Sequence, residues 1–219
     1  MNLRKPFSIF LIFLASTWVL HTITSNLIVD PQLDKFLVHK LLSEDFNQAL
    51  WLTNLRIHIV TACLVLITGL LGFSGRILTR SKGFHRINGQ LYIASVFLAA
   101  LSSLYLIADA TGGIYSIIGF MCLELIWLYA TARAYTTIRQ GDVQGHRRWM
   151  IRSFALTFSN TTIHLYLGLL HYLLGLDYTL AYIIAVWASW SVNLTAAEIV
   201  LRKRSPLPYP VQGEEVTRR

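Results

Sequence analysis

The sequence predicts an all-α fold, a polytopic transmembrane helical bundle of six spans, and three observations carry that prediction. Apolar residues make up 54% of the 219 residues, and charged residues only 14%. The apolar residues collect in runs at roughly 7–29, 54–74, 86–108, 113–135, 148–173 and 178–201, each close to the ~20 residues that cross a bilayer core as helix. Charge lies between the runs rather than along them. A soluble domain of this length builds its core without apolar runs that long.

The first run follows Arg4 and Lys5, as in a signal peptide. It lacks an Ala-x-Ala-like cleavage site and continues to Val29, so it is read as an uncleaved first helix. In the connection from Asp30 to Thr53, Leu33, Phe36, Leu37, Leu41 and Leu42 recur at helical spacing. That pattern predicts an amphipathic helix lying on the bilayer surface or covering the bundle as a lid, with Ser43 as a cap for a further turn. Gly69, Gly72 and Gly75 in the second run and Gly89 in the third are positions for close helix approach. Ser81 and Asp142 are candidate caps for the third and fifth helices. Phe84-His85-Arg86 and Gly145-His146-Arg147 open those two helices, a weak internal echo. Cys63 and Cys122 fall inside apolar runs, which argues against a disulfide or a zinc site. Residues 1–204 form one membrane domain, and the Pro-rich polar tail 205–219 is read as disordered.

The formal net charge is +8, and its distribution argues against nucleic acid as a partner. Arg4, Lys5, Arg76, Arg80, Lys82, Arg86, Arg133, Arg139, Arg147, Arg148, Arg202, Lys203, Arg204, Arg218 and Arg219 all fall on one side of the predicted bundle. The other side holds Lys35, Lys40 and Arg56 among Asp30, Asp34, Glu44, Asp45, Asp109 and Asp177. This is the positive-inside pattern, with both termini cytoplasmic. The basic charge therefore faces a bilayer with anionic headgroups.

The stretch GHRRWMIRSFALTFSNTTIHLYLGLLHY, residues 145–172, carries the sharpest functional signal. At about 100° per residue, His146, Ser153, Thr157, Asn160, His164 and His171 fall within roughly 40° of one line down a helix. Polar residues in a membrane helix mark an interior face by default.

The segments LRIHIVTACLVLITGLLGFSGRI, HRINGQLYI, GDVQGHRRWMIRSFALTF and NLTAAE, from about Leu55 to Leu201, resemble domain of unknown function family 2306, a group of predicted bacterial multi-pass membrane proteins. HRRWMIRS is the most specific block. Gln90 and His164 depart from the family pattern, where Arg is commoner. The resemblance implies a multi-pass fold in a bacterial cytoplasmic membrane, and no settled activity.

Two readings of the histidines stay open. His58 in the second span and His164 or His171 in the fifth lie at similar depth, the condition for two axial ligands of a haem b iron. The plainer reading is that they hydrogen-bond to Thr, Tyr or backbone groups between helices. On the other side, His85 and His146 begin the third and fifth helices. The eighteen residues from His146 to His164 separate two levels by ~27 Å, which puts the inner pair near the headgroups. With Arg86, Arg147 and Arg148 beside them, anion or headgroup contact is the favoured reading there.

Arg152 and Glu198 each lie about one turn inside a flanking arginine, so a salt bridge between the fifth and sixth helices is expected. Glu124 falls near the middle of the fourth span without an obvious cation, with Asn160, His164 and Asn193 as expected neighbours. A buried carboxyl of this kind is a candidate proton carrier or quinone contact, or simply a neutral hydrogen-bonding group. Two functional classes follow. One is a haem-b membrane redox protein. The other is a non-redox membrane protein: a transporter of a small solute or proton, or an assembly partner of a membrane complex.

Overall fold

The structure is a computed structural model that describes residues 4–32 and 46–203. Every regular element among these residues is helical. Helix α1, Arg4–Ile23, continues as a π-helical segment, Thr24–Val29. Then follow α2, Gln48–Gly72; the short α3, Gly75–Arg80; α4, Lys82–Ile107; and α5, Ile114–Arg139. Helices α6, Val143–Thr157, and α7, Ser159–Leu167, lead into a second π-helical segment, Gly168–Leu173, and α8 is Tyr178–Arg202. Five stretches are long and apolar enough to cross a membrane: Ile9–Asn26, Gln48–Gly72, Lys82–Ile107, Ile114–Arg139 and Tyr178–Arg202. The amphipathic pattern at Leu33–Leu42, the Ser43 cap and the tail 205–219 lie outside the described residues.

The run expected at 148–173 differs from the single helix the sequence suggests. It is divided at Phe158 into α6, α7 and the π-helical segment, none of span length alone. The physical reason is the segment TFSNTT, residues 157–162, which contains no strong helix former. Thr157 Oγ1 donates to the Ser153 carbonyl at 3.1 Å, and Thr162 Oγ1 approaches the Phe158 and Ser159 carbonyls at 3.1 and 3.0 Å. Hydroxyls bonded back onto the preceding turn bend helices.

Capping fixes where the helices begin. Ser81 Oγ accepts from the Phe84 N–H at 3.2 Å and Asp142 Oδ1 from the Gly145 N–H at 2.8 Å, as the sequence predicts for α4 and α6. Helix α2 starts at Asn47, whose Oδ1 accepts from the Leu50 N–H at 3.0 Å, and α8 starts at Asp177, which accepts from Leu180 at 3.1 Å.

Side-chain bonds between helices give the topology directly. His58 on α2 meets Ala99 on α4 while Thr68 meets Asn88, so these two helices are antiparallel. Thr131 meets Ser153 and Ala134 meets His146, which makes α5 and α6 antiparallel. Helix α7 lies against α8, α1 lies on α2, and α5 also touches α4 and α8. The main core joins Val65 and Leu66, Tyr92 and Val96, Trp127 and Ala130, and Phe154 and Leu156.

The glycines divide by what surrounds them. A Cβ at Gly69 would collide with the Phe154 ring, so this position lets α6 approach α2. Gly75 and Gly89 have nothing within 4 Å of such an atom, and Gly72 has only ordinary contact, so the expectation of close approach there does not hold. Gly119 takes the role instead, with Val186 at 2.8 Å on α8.

A Gly69→Ala protein should therefore unfold more readily, by about 1–3 kcal/mol as for other overpacked cores. Adding Phe154→Leu should recover part of the loss. Thermal unfolding of the detergent-solubilised variants reads this, and an unchanged transition in Gly69→Ala would count against the contact.

Candidate functional site

The longest buried polar line in the described bundle lies on α4. Asn88, Tyr92, Ser95, Ser102 and Ser103 are all buried there, and His85 at the start of the helix is half-buried. His85, Asn88, Tyr92 and Ser95 recur every three or four residues, and Ser102 and Ser103 lie two turns further along on the same side, beyond the buried Ala99. From His85 to Ser103 the line rises ~27 Å, nearly a bilayer core. Sequence reading missed it because single serines among apolar residues draw little notice. The same period that exposed the polar line at 146–171 would have found it.

Partners from neighbouring helices meet this line at three levels. Asn88 Nδ2 donates to the Thr68 carbonyl at 2.8 Å. The Tyr92 hydroxyl and Ser153 Oγ lie 2.7 Å apart, as do Ser153 Oγ and Thr131 Oγ1. Thr131 donates its own proton to the Trp127 carbonyl at 2.9 Å. Each hydroxyl has one proton, and with Thr131 bonded to the backbone the arrangement that serves all three has Tyr92 donating to Ser153 and Ser153 to Thr131.

Glu124 joins the line near its far end. Its Oε1 lies 2.8 Å from Ser103 Oγ, one turn before α4 ends, and its Oε2 is buried with no hydrogen-bond partner among the described residues. The expected neighbours are corrected here. Asn160 and His164, which follow the division at Phe158, are exposed. Asn193 donates to Thr162 Oγ1 at 3.1 Å, between α8 and α7. The polar line at 146–171 is thus interior at Ser153 and outward-facing at Asn160 and His164.

The histidines separate into distinct surroundings. His58 Nδ1 donates to the Ala99 carbonyl at 2.9 Å. His171 Nδ1 donates to the Leu176 carbonyl at 2.8 Å, with the Tyr172 and Tyr178 rings against it. The His164 ring packs on Trp18 of α1 at 5.3 Å, and Trp18 also meets the ring of His21 at 5.7 Å, a histidine the sequence reading did not single out. At the arginine-rich end, His85 and His146 are near enough to interact electrostatically. His146 Nδ1 donates to the Ala134 carbonyl at 2.8 Å, whereas His85 Nδ1 is buried without a hydrogen-bond partner among the described residues. Arg86, Arg147 and Arg148 beside this pair are exposed. No cluster of three or more His, Cys, Asp or Glu side chains suited to a metal ion occurs among the described residues.

Arg152 and Glu198 form a two-pronged ion pair between α6 and α8. Arg152 Nε donates to Oε1 at 2.6 Å and the guanidinium's second nitrogen to Oε2 at 3.2 Å. The Arg152 guanidinium also lies 4.6 Å from the centre of the Trp149 ring, a cation–π contact.

Residues 55–201 match the model of a family described as predicted membrane protein, DUF2306. No curated protein and no solved structure matches the chain.

Charge reversal tests the α6–α8 pairing. Arg152→Glu alone should cost about 1–3 kcal/mol, between exposed and fully buried pairs, and Arg152→Glu with Glu198→Arg should restore most of it. Folded yield and thermal stability are the readouts; a double variant no better than the single would argue against the pair.

Proposed function

The chain belongs to the DUF2306 family of predicted membrane proteins, and we propose that it crosses the membrane six times and moves protons along α4 between His85 and Glu124. The sixth crossing is α6, α7 and the following π-helical segment taken together as one bent span over residues 143–173, ample length for a bilayer core. An even number of spans and the basic residues at one end put both termini on the cytoplasmic side, in a bacterial cytoplasmic membrane.

The observation that carries the proton reading is Glu124, a carboxyl at one end of a buried polar line, with Oε2 unpartnered. Ser103 Oγ has two acceptors within reach, Glu124 Oε1 at 2.8 Å and the Ala100 carbonyl at 2.7 Å, but only one proton to give. A protonated Glu124 donates to Ser103, which donates to Ala100. When the carboxyl loses its proton, the Ser103 hydroxyl turns to the carboxylate. Both protonation states are served by one heavy-atom arrangement. Polar side chains in a membrane interior commonly mark such pathways.

Haem b is the second reading, favoured by one observation. The bond from His58 Nδ1 to a backbone carbonyl leaves Nε2 as the ligating nitrogen, the usual orientation of a metal-bound imidazole. A second axial ligand has less support. The His164 ring packs on Trp18 of α1, and His171 is bonded to the Leu176 carbonyl of the loop that follows it. We therefore route no step through haem.

In liposomes bearing a potassium diffusion potential, the wild-type protein should acidify or alkalinise the lumen. Glu124→Gln should lower that flux about 10²-fold, the scale of one positioned proton-transfer group. Equal flux in the two proteins would reject the proposal. A Soret band in the purified protein that is lost in His58→Ala would return haem to first place. For topology, Lys203→Cys should react with an impermeant maleimide only from the cytoplasmic face and Asp109→Cys only from the opposite face. Labelling of both from one side would overturn the six-span arrangement.

A further inference from the structure

A lateral groove of about 230 Å³ opens between α5, α6 and α8 at the arginine-rich end of the bundle. Its deeper wall is apolar, from Ile126 and Leu194, and the Arg152–Glu198 pair lies about one turn nearer the headgroups. Trp149, next to Arg148 on α6, lines the groove on the headgroup side of that pair. The Tyr129 ring meets it edge-on at 5.4 Å, and Tyr129 is itself 57% exposed. Aromatic side chains with one polar edge favour the level of lipid headgroups.

Charge around this groove is one-sided. Arg133 lies over the same Trp149 ring at 5.7 Å, opposite in sequence to Arg152 at 4.6 Å. Arg148 and Arg202 act electrostatically on Glu198 as well. Three guanidinium groups, of Arg152, Arg148 and Arg202, thus act on one carboxylate, with Arg133 a fourth against the Trp149 ring, so positive charge exceeds negative in this cluster. The nearby Asp142 carboxylate caps α6 through the Gly145 N–H. In the helix directions established above, Arg148 and Arg202 lie one turn nearer the end of the bundle than Arg152 and Glu198, while Ile126 and Leu194 lie deeper. Basic and aromatic rim at Arg148, Trp149 and Arg202, ion pair one turn in, and apolar depth at Ile126 and Leu194 follow one another over about two turns.

We propose that this groove binds one anionic phospholipid, with the phosphate at Arg148 and Arg202 and the upper acyl chain along Ile126 and Leu194. The ordering of the lining selects an amphiphile over a soluble anion. A free phosphate would find the arginines but leave the apolar wall uncovered, and a zwitterionic lipid would bring an ammonium into the arginine cluster. Basic pockets between transmembrane helices recognise anionic headgroups in this way. The assignment does not depend on the proton reading, since none of these residues lies on the α4 line.

Native mass spectrometry of the full chain in neutral detergent tests it. Phosphatidylglycerol should bind tighter than phosphatidylethanolamine of the same acyl chains, and Arg148→Gln with Arg202→Gln should weaken phosphatidylglycerol about fivefold for each arginine removed. The Arg152–Glu198 pair is kept intact in that variant. Raising the salt concentration on the wild-type protein should erase the preference between the two lipids, a measurement that stands even where the double variant folds poorly. Equal affinity for the two lipids, or a preference unaffected by salt, would overturn the proposal. Displacement of phosphatidylglycerol by millimolar inorganic phosphate would overturn the lipid assignment in favour of a plain anion site.

Discussion

Inside a bilayer no water is available to hydrogen-bond a stray polar group, so each must find a partner within the protein. The bundle meets that constraint most strictly at Tyr92, Ser153 and Thr131, where α4, α6 and α5 join through two 2.7 Å contacts. The junction exists because Gly69 leaves room for Phe154 against α2. Phe154 is the neighbour of Ser153 in sequence. A side chain at position 69 would push α6 outward and take Ser153 from Tyr92, leaving buried hydroxyls unserved at a cost of about 1–3 kcal/mol for each. Packing and polar satisfaction are one condition here.

The same junction orients what lies on either side of it. With α6 held against α4 and α5, His146 reaches the Ala134 carbonyl and comes within electrostatic range of His85. One turn further along α6 than Arg148, Arg152 is presented to Glu198 of α8, about 100° around the helix from Ser153. Beyond Phe158 the constraint lapses. There the Thr162 hydroxyl bonds to its own helix backbone, and α7 packs with α8 and presents His164 to Trp18 of α1.

Much of this was legible in the sequence. Run lengths and charge placement identified the helical membrane architecture, the caps Ser81 and Asp142 located two helix starts, and depth matching paired Arg152 with Glu198. The functional line was harder. Projecting residues 146–171 onto one straight helix put Asn160 and His164 on the same face as Ser153, and that holds only if the helix is continuous. The signal against continuity was present in TFSNTT, a segment poor in helix formers, but a period calculation has no term for a bend. Glu124 was recognised as unusual, yet its partner was not. Finding Ser103 requires the rotation of α5 about its own axis, which packing sets and the sequence of α5 alone does not.

The contrast between the two carboxylates of the spans shows what each can do. Glu198 lies one turn from the end of α8, 37% exposed, in a bidentate contact with Arg152 and near two more arginines. Its negative charge is matched whatever the surroundings do, so it serves as a fixed structural partner. Glu124 is buried, bonded to the Ser103 hydroxyl, and has no ion pair among the described residues. Holding a permanent charge there would carry the desolvation cost without the Coulombic return of a cation. A neutral carboxyl avoids that cost, and a proton passing through it makes the charge transient. Ser103 can answer either state by rotating one hydroxyl. Among the acidic groups described within the spans, Glu124 thus combines burial, an open oxygen and a partner that reverses direction, and these are the properties a proton-carrying step demands.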